Sequence, residues 1–369
     1  MAIALGTPGA GALNASPPDT IELSADFRIR FESDFDSERA NGTRRDDRTR
    51  ARIRARVKLV YRHARAFSFG IRVRSGSDDS QQSPHITVLD FDGNDTGDAD
   101  FNLDQWYLRG QLGGGWLWVG RNNLPFWKDH ELFWDDDVTP AGIGAGYEAS
   151  LGRVGSLGLS GGYFSLPVGM RQFSGNVGAG QLKYERKLGE VGLTAAAGLL
   201  AIEADPEDPD AEVLLNGNGG RDYTIWIGSA RAGWKVRGVP LLLGADLLHN
   251  SRDYSAADAA PLPASEADQT EGFLITARAG QLSGKGGWLA AYYYARIETF
   301  AVNSSYAQDD WVRWGSATET RASNMRGHEL RVAHAFTAAV NVVARLYLTE
   351  ALTTDEDGNR FRIDFNYRP

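Results

Sequence analysis

The chain reads as an all-β protein, a transmembrane antiparallel up-and-down β-barrel of about sixteen strands. Three observations predict this: a two-residue alternation of charged and apolar side chains, its recurrence along most of the sequence, and connections that alternate between short and long. The alternation is plainest at residues 48–61, R-T-R-A-R-I-R-A-R-V-K-L-V-Y. One parity carries Arg48, Arg50, Arg52, Arg54, Arg56 and Lys58, and the other carries Thr49, Ala51, Ile53, Ala55, Val57, Leu59 and Tyr61. At period two the cations share one face and the apolar groups the other. At about 3.6 residues per turn the charges would be smeared around a helix with no dry side. A face of six cations needs water and its back needs oil, which is the wall of a membrane barrel with a polar lumen.

Composition permits this reading. No run of about 18 apolar residues exists, so the sequence offers no transmembrane helix. The mean hydropathy of −0.36 is compatible with a barrel, because half of every spanning strand faces water. A net charge of −9 argues against nucleic acid as the main partner, and the lack of cysteine fits an oxidising envelope. Residues 1–20 read either as the remnant of a secretory signal, with Ala10 and Ala12 in an A-x-A-like cleavage site, or as a disordered N-terminal arm. The barrel is expected over residues 21–369.

The strands follow in order. Residues 21–32 place Ile21, Leu23, Ala25, Phe27, Ile29 and Phe31 on one face, against Glu22, Ser24, Asp26, Arg28, Arg30 and Glu32 on the other. Residues 48–61 come next. After a tight turn at 63–66, Phe67, Phe69, Ile71 and Val73 alternate with Ser68, Gly70, Arg72 and Arg74. Further strands are expected near 104–112, 116–122, 142–151, 156–166, 178–188, 191–202, 223–236, 239–249, 272–281, 288–298, 328–336, 339–348 and 359–367. Each is about the ten residues that a tilted strand needs to cross a bilayer. The reading admits fourteen to eighteen strands. Two are out of phase: Phe101 and Leu103 against Trp106 and Leu108, and Tyr223, Ile225 and Ile227, whose parity is shared by Arg231 and Lys235. A bulge is expected in each.

Glycine-rich short turns fall at 113–115, 152–155, 189–190, 237–238, 283–286 and 337–338. Long connections fall at 35–47, 76–99, 123–141, 167–174, 203–221, 251–271, 299–327 and 350–358. Short turns on one side and long loops on the other is the layout of an outer-membrane barrel, with both termini on the short-turn side. Trp116, Trp118, Trp234 and Trp288 stand near short turns, where an aromatic girdle would place them.

From Gly120 the chain reads G-R-N-N-L-P-F-W-K-D-H-E-L-F-W-D-D-D-V-T-P-A-G, and it closes with D-G-N-R-F-R-I-D-F-N-Y-R-P. Both stretches resemble the putative porins of Gram-negative bacteria, and so does the opening order of acidic strand, Arg/Asp-rich loop and basic strand. The resemblance spans residues 21–369 and is most specific in the P-F-W…W-D-D-D-V-T-P segment. It implies a passive diffusion channel for small hydrophilic solutes in the outer membrane, without cofactor. Such barrels usually end in an aromatic residue, whereas this chain ends Tyr367-Arg368-Pro369.

The third long connection is the candidate constriction. It carries the acids Asp129, Glu131, Asp135, Asp136 and Asp137 and the rings of Phe126, Trp127, Phe133 and Trp134, too much aromatic surface for a loop in water. Folded inward, it buries those rings and sets its carboxylates against the wall. Because the last strand closes against the first, Arg360 and Arg362 join Arg28, Arg30, Arg50, Arg52, Arg54, Arg56, Arg72 and Arg74 on the lumen side, with Arg345 on the next strand. Asp135, Asp136 and Asp137 are expected to face this basic wall, and two outcomes stay open: a transverse field that favours small anions or amphoteric molecules, or a hydrated, mutually paired arginine scaffold in a weakly selective pore.

The pattern G-L-S-G-G at 158–162 matches a nucleophile elbow but lies in an alternating strand with no helix after it. The six histidines lack metal-ligand spacing, and the acidic stretches at 90–95 and 355–359 lack the central glycine and closing glutamate of a calcium loop. No catalytic residue, metal or cofactor is expected. The expected partners are membrane lipid and lipopolysaccharide outside and small hydrophilic solutes inside, with a homotrimer by fold-level analogy. Two alternatives are a plugged structural or adhesive barrel and a barrel lipase or protease.

Overall fold

The computed structural model describes residues 19–63, 66–96, 99–205, 207–209, 217–314 and 320–369. The segment 1–20 expected as a signal remnant or arm lies outside them except for its last two residues. Sixteen long strands form the wall: β1 (Thr20–Glu38), β2 (Arg48–His63), β3 (Phe67–Ser75), β4 (Phe101–Leu112), β5 (Gly115–Arg121), β6 (Ala141–Ser150), β7 (Ser156–Val168), β8 (Gln172–Leu188), β9 (Val191–Glu203), β10 (Tyr223–Val236), β11 (Val239–Asn250), β12 (Glu271–Gln281), β13 (Trp288–Ile297), β14 (Met325–Ala335), β15 (Val340–Ala351) and β16 (Asp357–Tyr367). Each pairs antiparallel with its chain neighbours, and β16 closes on β1 from Phe27↔Tyr367 to Phe35↔Asn359. Closure leaves no unpaired edge, so every wall strand finds its ladder partners without water, as hydrocarbon demands. Two short strands, Arg44–Arg45 and Ile86–Asp90, lie in loops and add to the upper ends of β1 and β2.

The eight connections on the long-loop side are numbered L1 (39–47), L2 (76–100), L3 (122–140), L4 (169–171), L5 (204–222), L6 (251–270), L7 (298–324) and L8 (352–356). L4 departs from expectation. The long loop read at 167–174 is a three-residue turn, because pairing between β7 and β8 resumes on either side of an irregularity at Phe173/Asn176, where Gly175 has φ +71°. Pro167 and the glycines that look like loop residues serve a strand end and a bulge.

The two-residue rhythm sorts the faces. Between β1 and β2, Ile29↔Ile53 and Phe31↔Ala51 point outward, while Arg28↔Arg54 and Arg30↔Arg52 point inward. On the outer face the rings of Phe27 and Tyr367 stack at 6.4 Å and Phe31 meets Phe365 edge-on. The out-of-phase start of β4 is a bulge: Arg72 pairs with Gln105 and Val73 with Leu103, so Asp104 and Gln105 both turn inward and are buried. β10 has no such irregularity, and the bulge expected there is absent. Tyr223, Ile225 and Ile227 point inward like Arg231 because the loop end of the bore is packed with protein. They share a buried apolar cluster with Leu248, Leu274, and Phe300 and Val302 of L7.

Trp116 and Trp118 also depart from expectation. They point into the bore rather than into lipid. Trp118 is 2% exposed and stacks on Phe164 at 5.3 Å, and the Arg109 guanidinium lies 4.8 Å over the Trp116 ring. Glycines on β6 make the room: a Cβ on Gly144 would come within 2.6 Å of the Trp118 ring, and one on Gly146 within 2.5 Å of Trp116. Trp288 is exposed on the outer face, and Trp234 shares the outward parity of exposed Trp226. Gly144→Leu is therefore expected to destabilise the barrel by about 1–3 kcal/mol, read as a lower temperature for loss of the heat-modifiable band on a gel. Unchanged heat resistance would show that Trp118 is free to leave that position.

Candidate functional site

The basic wall is built by register. Arg28 lies directly opposite Arg54, Arg30 opposite Arg52, Arg56 opposite Arg74, Lys58 opposite Arg72 and Arg345 opposite Arg362. Like charges at the cross-strand spacing of about 5 Å repel by about 3 kcal/mol at an effective dielectric near 20. Carboxylates on the same wall offset this. Glu32 stands in register between Arg50 and Arg362 and accepts from both. Asp364 accepts from Arg30 at 2.7 Å and lies 3.6 Å from Arg28. Asp26 accepts from Arg54 and, at 3.4 Å, from Arg56. Asp34 accepts from Arg360 at 2.5 Å, and Asp104 from Arg72 at 2.5 Å. Arg28, Arg50, Arg52, Arg56 and Arg345 keep part of their surface open, at 11–17%. Arg74 is fully buried. It donates to the main-chain oxygens of Ser80 and Gln82 and so ties L2 to the wall.

L3 folds into the bore and crosses it. At its near end Asp137 meets Arg56 at 2.6 Å, eight residues down β2 from Arg48 and thus roughly 26 Å along the strand. At its far end Asp129 accepts from Arg231 of β10 at 3.0 Å and from Arg278 of β12. Upstream of Asp129, Gln181 of β8 exchanges two hydrogen bonds with the main chain of Trp127, and Ser160 donates to the oxygen of Pro125 at 2.6 Å. Leu132, Phe133, Trp134 and Val138 are buried beneath L7, with Trp134 stacked on Tyr306 at 5.4 Å. Of the acids expected to face the arginines, Asp137 is the one that meets the wall. Asp136 is exposed and pairs with Lys128. Asp135 is buried, with its main-chain N–H donated to Tyr306 and its carboxylate accepting from the N–H of Asp137.

Protonation divides these loop acids. Burial raises the Asp137 carboxyl, but Arg56, Arg54 and Arg74 outweigh it and hold the group below its usual range. Burial pushes Glu131 up to about 7; Lys128 opposes it, and Asp136, Asp137 and Asp310 each add a lesser upward push. Asp135 is pushed well up by burial, Glu131 and Asp137. Burial in the L3 seam therefore favours the protonated form of Glu131 and Asp135, while the arginines favour the ionised form of Asp137.

Several residues that line the bore beside these groups are not singled out as site residues by the sequence. Asp310, from L7, reaches the wall at Arg362 (2.5 Å), Arg345 (3.8 Å) and Arg30 (3.9 Å). Arg313 of the same loop meets Asp34 at 2.5 Å. Arg231 and Arg278 form a second basic patch with Asp246 and Asp129. Arg231 lies across Gly244, whose Cβ would fall 2.3 Å from it. Its parity was visible as the apparent phase fault of β10, but loops carry no period, so Asp310 had no comparable signal. Below L3, a cavity of about 380 Å³ opens between Lys58, Arg109, Glu148 and Lys183.

The remaining motifs are absorbed by structure. The serine of 158–162 is Ser160, whose hydroxyl is spent on Pro125. Asp90 accepts from Arg48 at 2.7 Å and from the N–H groups of Asp92 and Asn94, a turn rather than a cation loop. Among the described residues no group of three or more His, Asp or Glu side chains is placed to hold a metal.

Residues 33–182, which include L3 and most of the basic wall, match the family model described as "Putative porin". No curated protein matches the chain. Among solved structures, OprB of Pseudomonas putida at high pH aligns over 95% of this chain and 94% of its own, with TM-score 0.58 and 11% identity. An anion-selective porin from Comamonas acidovorans aligns over 95% and 100%, with TM-score 0.55 and 11% identity. OmpT of Vibrio cholerae in a trimer form aligns over 96% and 100%, with TM-score 0.53 and 11% identity. The fold is that of the Gram-negative outer-membrane porins, and the matched family is one of channels rather than enzymes.

Glu131 supplies a pH test. Between about pH 4.5 and 7 the unfolded chain has released this proton and the folded chain has not, so stability is lost as pH rises through that window. Thermal denaturation in detergent is expected to come at lower temperature at pH 8 than at pH 5, and Glu131→Gln to reduce that difference. An identical slope in the variant would remove Glu131 from the account.

Proposed function

We propose, on the premise that residues 33–182 belong to the putative porin family, that the chain is a passive diffusion channel of the outer membrane for small hydrophilic solutes, biased toward anions. The observation that carries the bias is the inward ladder of arginines on β15, β16, β1, β2 and β3, to which L3 brings one carboxylate, Asp137. A solute passing the ladder meets the field of arginines that stay partly open beside their carboxylates. Arg28, Arg50, Arg52, Arg54, Arg56, Arg345, Arg360 and Arg362 form the anion-facing side in this reading, with Asp137 opposite Arg56.

Three partner assignments accompany it. The apolar outer face meets membrane lipid. Arg296 and Arg326, exposed at the outer rim on the loop side, suit the phosphates of lipopolysaccharide. A homotrimer is the assembly suggested by analogy with the trimer form of OmpT.

A second reading, a barrel plugged by its own loops, is favoured by one observation: Phe300, Ala301, Val302, Tyr306 and Ala307 of L7 lie inside the bore with 0% exposure. Planar-bilayer recording separates the two, since discrete ohmic steps belong to the channel and silence to the plug. In a potassium chloride gradient the reversal potential is expected to show chloride passing more readily than potassium. Arg56→Glu is expected to lower that ratio by about twofold or more. A wild-type preference for potassium would end the anion assignment.

A further inference from the structure

L7 delivers a single carboxylate to the centre of the arginine wall. Oδ1 of Asp310 lies 2.5 Å from Nη1 of Arg362 and 3.9 Å from Nη1 of Arg30, and Oδ2 lies 3.8 Å from Nη1 of Arg345. The three guanidiniums come from three adjacent strands, β16, β1 and β15, and Arg345 and Arg362 are directly opposed in register. Wall carboxylates reach each of them from another side: Glu32 takes Arg362, Asp364 takes Arg30, and Glu329 stands 3.9 Å from Arg345. Asp310 is thus a further anion, brought by a loop to a place where three cations converge.

Its surroundings mark that place as a site rather than a strut. The loop is held by other bonds: Arg360 donates to the main-chain oxygen of Asp310 at 2.8 Å, the N–H of Gln308 donates to Glu131, and Gln82 donates to the oxygens of Ser304 and Ala307. The Asp310 side chain is 17% exposed while Arg30 and Arg362 behind it are 2% exposed, so water reaches the carboxylate before the guanidiniums. Donor capacity is in surplus, because the buried Nε of Arg345 and Nη1 of Arg362 have no hydrogen-bond partner of good geometry among the described residues, the contact of Arg362 Nη1 with Asp310 being one of charge.

We infer that Arg30, Arg345 and Arg362 form an oxyanion subsite that Asp310 occupies as an internal ligand, and that a carboxylate or phosphate group on a permeating solute displaces Asp310 from it. A carboxylate offers guanidinium the same two oxygens and the same charge as the aspartate, and a phosphate offers one oxygen more. Displacement requires a change of the Asp310 rotamer and leaves the other anchors of L7 in place. Asp310 thereby weakens the hold on each passing anion, so that binding is strong enough to select and weak enough to release. This inference rests on the channel reading and names the solute class for it.

The test is single-channel recording in chloride with sodium phosphate or sodium succinate added as probes. Wild-type current is expected to fall as either probe is added, and Asp310→Asn, which keeps the size and removes the charge, to show the same block at about tenfold lower concentration. Glu190→Gln, which removes one negative charge from the exposed short turn between β8 and β9, should leave the block unchanged. Conducting channels in which Asp310→Asn shifts neither block, or in which neither probe blocks at all, overturn the inference and leave the channel reading intact. A folded, heat-modifiable barrel that never conducts removes both. Should Asp310→Asn not fold, Arg345→Gln in the otherwise native chain is expected to raise the blocking concentration about threefold, and an unchanged value overturns the inference.

Discussion

Cations fixed at strand spacing on a wall that water reaches only in part must be interleaved with carboxylates, and this requirement organises the interior. The register that opposes Arg30 to Arg52 and Arg345 to Arg362 also sets Glu32 between Arg50 and Arg362 and Asp364 beside Arg30. Where the strands supply too few acids, loops bring them: Asp137 from L3 to Arg56, and Asp310 from L7 to Arg362. Loop position inside the bore thus follows from wall charge as well as from buried aromatic area. Breaking one such pair leaves an uncompensated charge behind, which costs far more than the pair contributes by its presence.

The same constraint links fold to transport. Hydrocarbon outside forces a closed ladder of strands, the closed ladder forces every second side chain inward, and on β16, β1, β2 and β3 the inward side chains are mainly charged. L3 divides what remains, with Asp137 on the β2 side and Asp129 bound to Arg231 and Arg278 on the other. In the proposed channel a solute is filtered by charge distribution across the bore, and no group needs to react with it.

Much of the wall was legible because period two is a strong signal wherever one face is ionic. The strand at 223–236 was bounded as observed, and the phase fault before Trp106 was a real bulge at Asp104. The misreadings have physical reasons. Near the loops the inward face is packed with protein, so Tyr223, Ile225 and Ile227 turn inward and imitate a slip of phase. Trp116 and Trp118 were assigned to an outer girdle by their height, whereas their side is set by Gly144 and Gly146 on the neighbouring strand, a relation that only pairing reveals. Pro167 and Gly175 resemble loop residues although the ladder continues around them. Of the site, the basic ladder and the inward loop were readable. Asp310 and Arg278 were not, since they depend on contacts between segments far apart in sequence, and Arg231 showed only as the apparent phase fault of β10.

The central claim is that alternate residues of β2 face water and lipid, and the absence of native cysteine allows a direct test. Single variants Arg52→Cys, Ile53→Cys, Arg56→Cys and Val57→Cys, reconstituted in vesicles, would be treated with a water-soluble thiol reagent and with one that partitions into the bilayer. The account expects the first reagent to label positions 52 and 56 and the second to label 53 and 57. Labelling in the opposite parity, or equal labelling at all four positions, would contradict it.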